Sequence, residues 1–150
     1  MTNPLVAFYE GTGTDDRGRR LDDIWTFSHD ELEGVHDYIQ WLFPLAERSA
    51  FNPDAPVLDA ATIARFKSDA TIRRNMQRSL AMMRGFYEDP EWLSPGNHNY
   101  LRLTRILKSL SLVGLDGEAR QLLAWLEEIY KTHAPVIGTR TLDFWRRAVG

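Results

Sequence analysis

The sequence predicts an all-α protein, an irregular bundle of about six to eight helices that forms a single domain over residues 1–150. Three observations predict this class. Apolar residues recur at intervals of three and four along most of the chain, which is the period of an amphipathic helix. No segment alternates apolar and polar residues as a half-buried strand does. Hydrophobic residues make up 43% of the 150 positions, enough for one core of ordinary size.

The first third of the chain predicts two helices after an irregular start. Residues 11–18 are rich in Gly and Asp, which favour turns. A short helix is expected over residues 21–27. Ser28 with Glu31 three residues later forms a capping-box pattern, which predicts a second helix start. The apolar run that follows predicts a deeply buried helix from Glu31 to Phe43, ended by Pro44.

The rest of the chain predicts five further helices, separated by segments rich in proline and glycine. Prolines predict loops over residues 51–56 and 88–96. Asp59, Asp69 and Asn97 are candidate caps, and Gly114 is a candidate helix stop. The expected helices cover residues 59–66, 69 to about 87, 97–113, from 116 to a break at Pro135 and Gly138, and 141–149.

Composition excludes several classes of site. The absence of cysteine rules out disulfides, thiolate metal ligands and a cysteine nucleophile. The four histidines lack the spacing of a helical metal pair, and a site built from His36, Asp37 and His98 would need two separate helices. We therefore predict no metal and no cofactor. No serine lies in a nucleophile-elbow motif.

Charge and hydropathy limit the kinds of partner and the cellular location that we expect. The net charge of −3 does not favour nucleic acid, although residues 1–60 carry −8 and residues 61–108 carry +5. We interpret these segments as packing against each other; a basic face for an anionic partner is the alternative. The start of the chain lacks a signal-peptide pattern, and no apolar run approaches the ~20 residues of a membrane span. We expect a cytoplasmic protein without a transmembrane segment.

Two segments carry a family resemblance. His36-Asp37-Tyr38-Ile39-Gln40-Trp41-Leu42-Phe43-Pro44 and the stretch from His98 through Leu110 to Gly114-Leu115 are similar to the opioid growth factor receptor conserved domain. Phe51-Asn52-Pro53 and Phe86-Tyr87 lie where that family has similar residues, so the resemblance covers about residues 20–116. It implies a compact stand-alone member of microbial type. Animal members are described as receptors for an enkephalin-type peptide, and the resemblance brings no catalytic residues.

The same two segments supply the candidate ligand-binding residues. They combine polar groups on otherwise apolar helices with an aromatic ring, as ligand pockets do. On the second helix, the arginines lie close to a helix start that would suit an anion. The candidate ligand-binding residues are His36, Asp37, Gln40, Trp41, His98, Asn99, Arg102 and Arg105. The alternative for all of them is structural: internal hydrogen bonds and ion pairs, with Asp37 as one candidate partner of the arginines.

Three function classes follow from these residues. We favour a non-enzymatic module that binds a small anionic ligand or a peptide. The first alternative is a protein-interaction domain, whose motif residues build the fold and whose outer surface contacts a protein partner. The second is an enzyme that uses His36, Asp37, His98, Arg102 and Arg105. An interaction domain would expose an apolar patch, and an enzyme would gather groups with shifted pKa values in a cleft.

Overall fold

A computed structural model describes residues 3–150 of the chain. Within that range it contains nine α-helices, one 3-10 turn at Pro90–Trp92 and no strand, which confirms the all-α prediction. The helices are α1 (Pro4–Glu10), α2 (Leu21–Trp25), α3 (His29–Gly34), α4 (Ile39–Leu42), α5 (Ala60–Ser68), α6 (Ala70–Tyr87), α7 (Asn99–Leu112), α8 (Asp116–Ile137) and α9 (Thr139–Ala148).

Side-chain caps fix several helix starts at the predicted residues. Ser28 and Glu31 form the reciprocal capping box, with hydrogen bonds of 3.1 and 2.9 Å between side chains and backbone N–H groups. Asp59 Oδ1 accepts from the N–H of Thr62 at 2.7 Å. Asp69 caps α6 in the same way, at 3.1 Å from the N–H of Ile72. Each carboxylate or hydroxyl satisfies a donor that the helix itself leaves unpaired.

Helix α1 is the element that the sequence reasoning did not predict. Asn3 caps it by accepting from the N–H of Leu5 at 3.0 Å, and Pro4 occupies the first turn. Gly11 ends it with φ of 87°, a left-handed conformation that favours glycine. An Asn-Pro start and a Gly stop were therefore present in the sequence as signals.

The expectation of one continuous helix from Glu31 to Phe43 is wrong. Helix α3 ends at Gly34, and Val35 adopts an extended conformation with ψ of 129°. The short α4 begins only at Ile39. A hydrogen bond of 2.6 Å from the Tyr38 hydroxyl to the Leu32 carbonyl holds the break in place. The break exposes His36, whereas a continuous helix predicted that this segment would be largely buried.

The contacts within the chain group into two compact units, one of residues up to Phe86 and one of Tyr87–Gly150. The first unit is built on α1 packed against α5, with Tyr9 and Phe66 as fully buried aromatic neighbours at 5.5 Å. In the second unit α7, α8 and α9 pack against each other pairwise. Trp145 is fully buried there and donates from its indole N–H to the Tyr100 carbonyl at 3.2 Å. A single domain over residues 1–150 remains a prediction.

Hydropathy adds one fact about the elements. Within residues 3–150, no helix combines the length and the apolar content that crossing a lipid bilayer requires.

Candidate functional site

Asp37, the central charged residue of the first motif, is held in an ion-pair network. Arg19 Nη2 lies 2.9 Å from Asp37 Oδ1, and Arg17 Nε lies 3.1 Å from Asp37 Oδ2. Arg19 also pairs with the buried Asp15 at 2.7 Å. Burial lowers the pKa of Arg19, but the bonds to Asp15 and Asp37 outweigh it and raise that pKa. These contacts directly support the structural interpretation of Asp37. Its partners are Arg17 and Arg19, which precede it in the first third of the chain.

Gln40 and Trp41 lie in the buried α4. The Asn52 side-chain amide lies 3.4 Å from Gln40 Oε1 and 3.5 Å from the Asp37 carbonyl, so a loop residue links two motif residues. Trp41 is 3% exposed and packs edge-on against Phe8 at 5.3 Å. Its indole N–H has no acceptor among residues 3–150. A buried donor of this kind is uncommon in proteins.

The second motif residues lie at the start of α7, in the other unit. His98 is exposed at the cap position, and Asn99 is fully buried. Arg102 is also buried, at 6% exposure, and Arg105 is half-buried; neither lacks a partner. Because the eight candidate residues divide between the two units, the meeting of the two motif groups stays a prediction.

The second unit contains a cleft of about 470 Å³ that is open to solvent, which we call the cavity. One side, which we call the loop wall, consists of five residues around the 3-10 turn, namely Tyr87, Glu88, Pro90, Trp92 and Leu93. The other side, which we call the helix wall, consists of five residues of α8, namely Trp125, Glu128, Ile129, Thr132 and His133. None of the eight candidate residues lines it.

Hydrogen bonds hold the loop wall in a fixed shape. The Trp92 indole N–H donates to the Tyr87 carbonyl at 2.9 Å, and the two rings meet edge to face at 5.5 Å. The Tyr87 hydroxyl donates to Asn99 Oδ1 at 2.9 Å, and the Asn99 amide in turn donates to Asn97 Oδ1 at 3.0 Å. Asn99, a predicted site residue, thus does not line the cavity but fixes the position of the lining residue Tyr87. A wall fixed in this way loses little entropy when a ligand binds.

The helix wall is one face of α8. Its five residues follow the spacing i, i+3, i+4, i+7 and i+8, which places them on one side of a helix. Near the end of this face His133 leaves helical geometry, with φ of −119° and ψ of 22°. Pro135 causes this kink, because proline lacks the N–H for the helical ladder and its ring collides with the carbonyl of Lys131.

The chemistry of the cavity is aromatic and acidic. Tyr87, Trp92 and Trp125 supply rings. Glu88 and Glu128 are its charged residues, and none of the ten lining residues is Lys or Arg. The predicted preference for an anion has no counterpart in this lining. Within residues 3–150, no group of three or more His, Asp or Glu could hold a metal ion.

Four groups with shifted pKa values lie outside the cavity. Burial raises the pKa of the Tyr9 and Tyr100 hydroxyls. Hydrogen bonds from the side chain and then the backbone N–H of Thr62 lower the pKa of Asp59, and one from the backbone N–H of Ile72 lowers that of Asp69. None of these four residues lines the cavity.

The basic residues of α6 contact their own unit. The Arg78 guanidinium stacks over the Trp25 ring at 4.2 Å, and Arg73 donates to the Lys67 carbonyl at 3.3 Å. Arg65 of the basic segment pairs with Glu10 of the acidic one. The contacts of Arg65 with Glu10 and of Arg78 with Trp25 join the two charged segments. They favour packing of these segments against each other, and not a basic face for an anionic partner.

Comparison with known proteins finds the same family that the two motif segments indicate. The opioid growth factor receptor (OGFr) conserved region matches residues 15–89 and 90–150. The opioid growth factor receptor of Rattus norvegicus is 36% identical over 88% of this chain and 27% of its own length, and that of Homo sapiens is 34% identical over 86% and 22%. The opioid growth factor receptor-like protein 1 of Mus musculus is 30% identical over 81% and 30%.

These relatives extend well beyond the shared region. The chain spans about a quarter of the length of the receptors that it matches. No solved structure matches it. The match of the conserved region covers both structural units and both motif segments, and the identities run over most of the chain. On these grounds the chain belongs to the opioid growth factor receptor conserved-region family.

Proposed function

We propose that this chain is a non-enzymatic, receptor-like module that binds a small ligand or a peptide in the cavity of its second unit. The cavity is the observation that carries the proposal. Its volume of about 470 Å³ falls within the range of roughly 300–1,000 Å³ that is typical of small-molecule sites. Its lining combines aromatic rings with a few polar groups, as such sites do.

The names of the relatives support the same class of function. Several relatives at 34–36% identity are named as receptors for opioid growth factor. Their shared region is the part of those proteins that this chain contains. A binding role for that region is consistent with a cavity inside it. The eight motif residues remain proposed contributors, and one of them, Asn99, accepts a hydrogen bond from the hydroxyl of the cavity residue Tyr87.

The interaction-domain alternative has a narrower basis. The large apolar side chains that are exposed among residues 3–150 are Phe51, Leu101 and Phe144. The Phe144 ring lies 5.6 and 5.9 Å from the guanidinium groups of Arg140 and Arg147, so cations cover part of its face. Single exposed apolar residues are ordinary on protein surfaces and do not by themselves define an interface.

A cavity-filling variant tests the proposal. Thr132 is an exposed residue of the helix wall, so Thr132→Trp should fill the cavity without disturbing the core. Ala124→Trp is the matched control, because Ala124 is exposed on the same helix and does not line the cavity. The three proteins are screened by thermal shift against short peptides, amines, alcohols and carboxylates. A compound that binds in the cavity should raise the melting temperature of the wild type and of the control.

The two variants give opposite expected results. Thr132→Trp should lose the response to every compound that stabilises the wild type, since the added indole occupies the ligand's volume. A compound that stabilises Thr132→Trp as much as the wild type binds elsewhere and would refute this site. Absence of any response from the wild type, with the folded state confirmed by circular dichroism, would refute the binding function for the compound classes screened.

A further inference from the structure

We propose that the cavity selects an organic cation: a protonated amine carried on an aromatic or aliphatic body. This inference rests on the proposed function, because it names the ligand class for the same cavity. It differs from the small anion that the arginines of α7 predict. Three features support this preference, namely the charge of the lining, its rings and the ion pair of the lining residue Glu128.

The charge of the lining excludes an anion as the preferred ligand. Glu88 and Glu128 carry the formal charges among the ten lining residues, and both glutamates are exposed at the cavity. A carboxylate or phosphate that entered would meet two like charges and no lining Lys or Arg. Like charges placed together are unfavourable, and more so where water is displaced. An ammonium group would find a counter-charge on each wall.

The rings of the lining suit the same ligand. An ammonium group over a Trp or Tyr face within about 6 Å is attracted by the negative face of the ring. Trp125 of the helix wall is half-buried and offers the most open ring of the lining, whereas Trp92 and Tyr87 back the loop wall at 3% and 2% exposure. The chain uses this interaction elsewhere, where Arg78 lies 4.2 Å from the centre of the Trp25 ring. An apolar body attached to the amine would bury against Leu93 and Ile129.

Glu128 of the helix wall already pairs with a cation, Lys131, which does not itself line the cavity. Lys131 Nζ lies 2.7 Å from Glu128 Oε1, and this hydrogen bond raises the pKa of Lys131. Both side chains are about 70% exposed, so water weakens the pair and an incoming amine can replace Lys131. Lys131 is then a competitor for Glu128. Removing its charge should strengthen binding of an amine, a sign that a purely structural role for the pair does not predict.

Three ligands of nearly equal size separate charge from shape. The probes are 2-phenylethylamine, which is a cation at pH 7, the neutral 2-phenylethanol and the anion 3-phenylpropionate. Isothermal titration calorimetry on the whole chain at low salt should show the amine binding about tenfold or more tightly than the alcohol, and the anion weakest. Added salt should weaken binding of the amine and leave binding of the alcohol unchanged.

Single substitutions assign the effect to the two glutamates. Glu88→Gln and Glu128→Gln keep the side-chain shape, and each should weaken binding of the amine about two- to fivefold without changing binding of the alcohol. Glu91→Gln is the matched control, because Glu91 is exposed beside the loop wall but does not line the cavity. Lys131→Gln should strengthen binding of the amine about twofold. Melting temperatures confirm that each variant is folded.

The outcomes separate this inference from the proposed function. Binding of all three probes with equal affinity, lost in Thr132→Trp, would keep the ligand-binding function and overturn the preference for a cation. Preference for the anion would overturn it as well. No binding of any probe to the wild type would count against both.

A second pair of probes distinguishes a peptide amino terminus from a free amine as the ligand. Phenylalanine amide presents the charged amino terminus of a peptide, and N-acetylphenylalanine amide removes that charge. Binding of the first and not the second identifies a peptide amino terminus as the source. Binding of 2-phenylethylamine alone identifies a free amine. Equal binding of the acetylated and the free amide would contradict recognition of the charge.

Discussion

At the scale of single residues, the first unit depends on a buried hydroxyl. The Tyr9 ring is fully buried, and its hydroxyl donates to the Leu42 carbonyl at 2.5 Å. The Tyr9 hydroxyl oxygen also lies 3.0 Å from the Ser79 hydroxyl, which accepts a hydrogen bond from the Trp25 indole N–H at 3.1 Å. Burial raises the pKa of Tyr9, so the neutral donor is the form that the fold uses. One tyrosine thus joins α1, α4 and α6 of this unit.

Removing this hydroxyl should be costly. Tyr9→Phe leaves the Leu42 carbonyl without its donor inside the core, and an unsatisfied buried group costs about 1–3 kcal/mol. Urea unfolding followed by circular dichroism should show that loss in the free energy of unfolding. Tyr130→Phe, at a half-buried position of α8, is the control and should change it by about 0.5 kcal/mol or less. Equal effects of the two substitutions would contradict this role of Tyr9.

Residue-level prediction from the sequence succeeded where a group has a local partner. The capping pair Ser28 and Glu31 needs only spacing, and the structure confirms it. The exposure of His36 and the unpaired indole of Trp41 depend on where the chain turns after Gly34. No local pattern encodes that turn, because an apolar run is compatible with a continuous or a broken helix.

At the scale of elements, α6 shows why an amphipathic helix is predictable. Its buried residues Ile72, Met76, Met83 and Tyr87 recur at intervals of three and four or their sums, which is visible in the sequence. Asp69 defines its start by accepting from the N–H of Ile72, and Arg65 lies 3.1 Å from the same carboxylate. The backbone bond from Ile72 and then the Arg65 bond lower the pKa of Asp69 below its ordinary value of 3.8.

This cap should give α6 a measurable dependence on acid. The folded-state pKa of Asp69 lies below its unfolded value, so its contribution is complete above about pH 4 and is lost as pH falls through the lowered pKa. Asp69→Asn keeps an acceptor for the N–H but does not titrate. Between pH 6 and 2 its melting temperature should therefore fall less than that of the wild type. Parallel pH profiles would show that the Asp69 carboxylate does not contribute.

The two walls of the cavity differ in how far the sequence could reveal them. The sequence contains the helix wall as one face of α8, at the spacing i, i+3, i+4, i+7 and i+8. The loop wall comes from a proline-containing segment whose shape depends on the Tyr87–Asn99 bond. Pairing these two segments needs tertiary contacts, which periodicity does not contain.

At the scale of the whole molecule, the family and the all-α class could be predicted, and the position of the cavity could not. The family could be predicted because two continuous segments of sequence identify it, whatever the arrangement of the helices. The motif residues that mark the family are largely buried or paired in the structure, as Asp37 and Arg102 illustrate. Residues that identify a family by building its fold need not be the ones that contact a ligand.

The most direct test of the proposed binding site is the indole N–H region of a ¹H–¹⁵N spectrum during titration with 2-phenylethylamine. Five tryptophans give five assignable signals, and two of them, Trp92 and Trp125, line the cavity. We predict saturable shifts of these two signals, with Trp25 and Trp41 of the first unit unchanged. Saturable movement of Trp41 without Trp92 and Trp125 would contradict the cavity as the site and return attention to the motif residues.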